Sequence, residues 1–135
     1  MTMKTHQHDF VIHAGADFYH PFAIESTDGT TTLDLAEEGD GYTHGRLTIQ
    51  DTVNGDEILT LTTDNGGVVI DHFTDDSGIW SGYWFASAAT TRQLTDWGDG
   101  QYEFVVYDAA DEEGPATHVE KPFVGFCTLS PRIAP

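Results

Sequence analysis

Seven histidines, one cysteine and a surplus of carboxylates are the side chains of this 135-residue chain that could do chemistry. Metal binding by histidine or cysteine needs spacings that let a fold converge the ligands, as in HExxH or CxxC. Neither pattern occurs. His6 and His8 would share one face of an extended segment, His13 is oddly spaced from both, and His20 falls in the next predicted strand. No three-ligand cluster emerges, so the histidines read as surface residues and no resident metal is expected. Calcium prefers loops rich in oxygen ligands. Aspartates do gather in turns, at Asp75 and Asp76 and at Asp96 with Asp99. No EF-hand loop is present, and its nearest approach, Asp51–Glu57, reads better as a hairpin turn. These acids could collect Ca2+ adventitiously; no cofactor is expected. No GxSxG surrounds a serine, and Cys127 has no histidine beside it in sequence, so it reads as a buried strand thiol. Carboxylates are too abundant for any pair to mark a glycosidase. The chain reads as a non-enzyme.

The tryptophans pose a different question. In Ile79-Trp-Ser-Gly-Tyr-Trp-Phe-Ala86, residues Ile79, Tyr83 and Phe85 point one way and Trp80 and Trp84 the other. A two-layer sandwich buries one face of each strand. Either the tryptophan face is covered by the segment around Leu94 and Trp97, or it is exposed for a partner. Exposed tryptophans favour interfaces and sugar stacking, which makes Trp80, Trp84 and Trp97 candidate interface residues.

Composition narrows the partners. Five basic residues face 23 acidic ones, a net charge of −18 with neutral histidines. Such a surface repels phosphate backbones and anionic lipid headgroups, which argues against direct nucleic-acid binding. It is either a solubility device, suited to a salty medium, or a means of docking onto a basic partner or a divalent cation. Met1 to Asp9 contains no apolar signal core, and no apolar run approaches a membrane span. The expectation is a protein made in a cytoplasm, without membrane insertion, that stays soluble or joins a larger assembly.

Positioning falls to short strands between turns. Turn signals recur at Thr27–Gly29, Glu38–Gly41, Asn54–Asp56, Asp64–Gly67, Asp75–Gly78, Gly98–Gly100 and Asp111–Gly114. Between them lie segments rich in Val, Ile, Thr, Phe, Tyr and Trp, predicted as strands near 8–14, 17–26, 42–51, 57–63, 67–74, 79–86, 101–108 and 116–129. Phe18, His20, Phe22 and Ile24 share one face of the second. Asp64-Asn-Gly-Gly67 is predicted to close a hairpin. Residues 87–94 are predicted to form one or two helical turns capped by Ser87, weakened by Thr90 and Thr91. Pro122 demotes part of the last strand to an edge or a bulge. The fold class is all-β, a single antiparallel sandwich at 9–130, with an N-terminal arm at 1–8 and a C-terminal tail at 131–135.

The ordered pieces resemble a family. Ala16-Asp-Phe-Tyr-His-Pro-Phe-Ala-Ile-Glu25 resembles an opening strand, followed by Asp28-Gly29, Leu33-Asp-Leu35 and Tyr42-Thr-His-Gly-Arg-Leu-Thr-Ile49. Ile58–Leu61 and Gly67–Ile70 match a middle hairpin. Ala89–Leu94, then Gly100-Gln-Tyr-Glu-Phe-Val-Val-Tyr-Asp108, match a helical turn before a GxYxYDL-like strand, and Phe123–Leu129 matches a closing strand loosely. Together, across about residues 9–130, they are similar to the small immunoglobulin-like virion proteins of tailed bacteriophages and to the N-terminal domain of the lactococcal-phage upper baseplate protein. Two departures stand out: denser acids, and a longer loop at Ala36-Glu-Glu-Gly-Asp40. The resemblance implies an immunoglobulin-like fold, no catalytic residues and a place in the virion, assembled from the host cytoplasm. It implies a docking subunit of tail, baseplate or fibre, in contact with other virion proteins and present in many copies or as a homo-oligomer. Capsid decoration is the alternative, and a carbohydrate-binding module a second one.

Overall fold

A computed structural model describes residues 6–25, 32, 34–35, 42–52, 55–94, 99–108 and 119–130. Among the described residues, nine strands and one short helix follow in order: β1 (His6–Gln7), β2 (Phe10–His13), β3 (Phe18–Phe22), β4 (His44–Asp51), β5 (Glu57–Thr62), β6 (Val68–Asp75), β7 (Gly78–Ala86), α1 (Ala88–Arg92), β8 (Asp99–Tyr107) and β9 (Val119–Ser130). A large sheet runs β1-β9-β8-β4-β5, with β2 continuing β1 along the same edge of β9. A small sheet runs β3-β7-β6. The two stack as a nearly all-β, sandwich-like arrangement.

Alternation sets the layers. In β4, Gly45, Leu47 and Ile49 are buried, and in β8 so are Tyr102, Phe104 and Val106. The second predicted strand places Phe18, Phe22 and Ile24 inside, as its pattern required. The hub of the core is Trp84, fully buried in the central strand of the small sheet. Its ring centroid lies 5.2 Å from that of Phe104, 5.4 Å from Phe10, 5.7 Å from Phe22 and 6.0 Å from Phe123. The tryptophan face of β7 is therefore the inner one, covered by the large sheet; Trp97 lies outside the described residues.

Two further expectations change, and one about Pro122 is met. The sandwich is not wholly antiparallel: β1 and β2 pair with β9 in parallel. Residues 6–8, at the end of the arm expected over 1–8, pair along the sheet edge. The break between β1 and β2 is bridged, because the His8 N–H donates to the Val124 carbonyl (3.0 Å) and the Asp9 carboxylate accepts from the Phe126 N–H (2.9 Å). Gly125 sits opposite, where a Cβ would meet the His8 carbonyl oxygen at 2.5 Å. Second, Asp64–Gly67 does not close a hairpin, since β5 pairs only with β4, and β6 with β7. The turn carries the chain from one sheet to the other. Pro122 lies at a register shift where β9 passes Phe104 and Val106 of β8, so the expectation of an edge or a bulge is met by a bulge.

Helix α1 forms despite its threonines because they have work outside the helix. Ser87 caps it, accepting from the Thr90 N–H (3.3 Å). The fully buried Thr91 hydroxyl donates to the Ala16 carbonyl (2.7 Å) and accepts from the Gly15 N–H (3.1 Å). The Asp17 carboxylate accepts from the Ala88 N–H (2.7 Å). The helix thereby ties the crossover between the sheets to the β2–β3 turn.

Candidate functional site

The three tryptophans separate. Trp84 is core, out of reach of any partner. Trp80 is half-buried, and its indole N–H donates to the Asp75 carboxylate (2.9 Å). Trp97 lies outside the described residues. An aromatic cluster with one exposed member lies on the opposite side of the small sheet. Tyr19 of β3 is 52% exposed, and its ring stands 5.0 Å from that of Tyr83 in β7. The half-buried Phe73 of β6 meets Tyr83 edge-on at 6.2 Å, and half-buried Phe85 is the register partner of Tyr19. At the start of β7, Ile79 is 50% exposed. The sequence had both faces of β7 apolar, and only the cross-strand registers tell which is outside.

Strand edges are the other route to a partner, and each is blunted. β1 and β2 are two and four residues long, with a break between them. β3 carries Pro21, which has no N–H to offer. β6 carries exposed Asp71, His72 and Asp75 and a register shift after Ile70. β5 is capped by Asn65: its side chain donates to the Thr60 carbonyl (3.1 Å) and accepts from the Thr62 N–H (2.9 Å) and the Gly67 N–H (2.8 Å). One side chain thus stands in for a neighbouring strand.

Two acidic turns among the described residues are held by local bonds; Asp96 lies outside the described residues. The Asp75 carboxylate accepts from the Ser77 N–H (2.8 Å), the Gly78 N–H (3.2 Å) and Trp80, and the Trp80 bond above all holds it below its ordinary range. Asp51 and Asp56 close a turn, with the Asp51 N–H donating to the Asp56 carbonyl (2.8 Å) and Gly55 at φ +73°. That is the hairpin turn expected there, joining β4 to β5. Among the described residues, no three His, Cys, Asp or Glu side chains gather as a metal cage. Cys127 is buried, and burial pushes its thiol up to about 12, far from a reactive thiolate.

One pair of histidines does meet. His8, at the β1–β2 joint, and His20, in β3, approach Nε2 to Nε2 at 3.0 Å across the opening between the sheets. They stand at a cleft of about 330 Å³ lined also by Pro21, Trp80, Trp84 and Phe123. The His20 Nδ1 faces the Pro21 carbonyl at 2.9 Å. Burial holds the His20 imidazole below its usual range; the Pro21 carbonyl opposes this and the facing His8 adds to it. The sequence placed these residues in neighbouring strands, but the contact depends on which sheet each strand joins.

No family model matches this sequence, and no curated protein matches it.

Proposed function

We propose that this chain is a non-enzymatic docking subunit of a tailed-bacteriophage particle, an immunoglobulin-like sandwich that joins tail, baseplate or fibre to a neighbouring virion protein. The ordered motifs described above support the family. The observation that carries the docking role is the aromatic face of Tyr19, Phe73, Tyr83 and Phe85 on the outside of the small sheet. Tyrosine and phenylalanine clustered on a surface are what interface cores are made of. With the edges blunted, the partner meets a face rather than adding a strand. Many copies, each held weakly, would bind strongly together.

The carbohydrate alternative loses its tryptophan support, because Trp84 is buried and Trp80 is held by Asp75. Cryo-electron microscopy of purified particles tests the proposal. Density for the chain at the tail, baseplate or fibre, with the Tyr19–Tyr83 face against a neighbour, is the expected result. Copies spread over the capsid would put decoration in its place, and particles without the chain would end the virion reading.

A further inference from the structure

We propose that His8 and His20 form a two-histidine site for a divalent transition cation, clamping the two sheets together at their open side. Imidazole nitrogen selects metals of the nickel, copper and zinc class over calcium or magnesium. With metal–nitrogen bonds of roughly 2.0–2.1 Å, two nitrogens 3.0 Å apart subtend about 90° at the metal. That is the angle between neighbouring ligands in square-planar or octahedral coordination, so the separation suits Ni2+ or Cu2+. A tetrahedral zinc site needs the nitrogens a few tenths of an ångström farther apart.

The surroundings favour ligation. A carbonyl can only accept, so the Pro21 oxygen assigns the proton of neutral His20 to Nδ1 and leaves a lone pair on Nε2, facing His8. This is the backbone-carbonyl support that orients metal-binding histidines elsewhere. The backbone of His8 is pinned on both sides, by its N–H on Val124 and by its carbonyl, which accepts from the Tyr102 hydroxyl. The ligand pair is thus preorganised from two sheets, and Trp80, Trp84 and Phe123 wall the cleft. Two protein ligands leave the other positions to water, so the cation is structural and exchangeable. Because it binds only where the sheets are stacked, it stabilises the folded chain.

The test is a Ni2+ titration of the untagged, EDTA-dialysed chain, followed by tryptophan fluorescence. The Trp84 ring lies 5.3 Å from that of His20, close enough for a paramagnetic ion to quench it. Saturable quenching by one ion per chain and a rise in the thermal midpoint are expected, with no response to Ca2+. Exposed His8→Ala and the shape-preserving His20→Gln should each weaken binding by about tenfold or more, while a combined His13→Ala, His44→Ala, His72→Ala variant stays near wild type. Unchanged affinity in His20→Gln, loss of binding in His6→Ala alone, loss in the triple variant, or an equal response to Ca2+ would each overturn the proposal.

Discussion

On the outer face of the large sheet, Thr48, Gln50, Gln101 and Glu103 line a shallow trough, and Lys121 pairs with Glu103 at 2.8 Å. On the outer face of the small sheet, the Tyr83 ring meets both Tyr19 and Phe73. Both faces follow the same strand alternation, and both sheets bury their other side in the same core. The large sheet does expose apolar residues, Phe126 at 51% and Val11 at 46%, but among polar neighbours, as is ordinary for a protein surface. The contrast teaches that fold demands one apolar face per sheet, and that a second one needs another cause. Here the second belongs to the small sheet, and contact with a partner is the cause we assign to it.

The largest effect should separate the two sides of a single strand. Trp84→Ala removes the hub of the core and should cost about 3–5 kcal/mol in urea unfolding. Tyr83→Ser, one residue away on the outer side, should cost far less. Equal losses would mean that the outer face is a second core and not a surface. Alkaline pH should come next, acting through the buried thiol of the core. Burial raises the folded Cys127 pKa from its ordinary 9.0 to about 12. The folded state then holds its proton where the unfolded state has lost it. That contribution is complete below about pH 9 and is lost as pH climbs toward 12. Urea midpoints measured between pH 8 and 11 should fall, and Cys127→Ala should flatten the slope; a rise with pH would contradict the burial.

A smaller change should come from Asn65→Gly, which removes the cap on β5. A loss of about 1–2 kcal/mol is expected, with concentration-dependent self-association by light scattering as the uncapped edge seeks a strand. If the variant stays monomeric, the edge is not what Asn65 protects. The smallest effect belongs to the polar face. Lys121→Ala should shift stability by no more than about 1 kcal/mol, because both partners of its pair with Glu103 are half-exposed.

Much of the fold was legible in the sequence because the evidence for it is local. Ser87 announces a cap through its side chain, and the alternation in β4 and β8 announces strands wherever the partner lies. What stayed hidden is set by pairing. Asp64–Gly67 has the composition of a hairpin turn, yet Gly67 packs beneath Leu61 and sends β6 into the other sheet; a Cβ there would meet Leu61 Cβ at 2.6 Å. β7 is apolar on both sides, so alternation defined two faces without saying which is inside. The large indole went to the core, where it buries most area, and the tyrosines went out, which reversed the expectation for Trp84. The histidine pair was half visible: the strands were right, but the 3.0 Å approach of His8 to His20 follows from the parallel docking of β1 and β2.

Under the virion role proposed above, the contrast between the outer faces is tested most directly by incorporation into phage particles. A chain with Tyr19→Ser and Tyr83→Ser should unfold close to the wild-type midpoint and yet be missing from purified particles. A chain with Gln50→Ser and Gln101→Ser, altered on the other face, should be present at full occupancy. Normal incorporation of the tyrosine variant, or loss of the glutamine variant instead, would contradict the account.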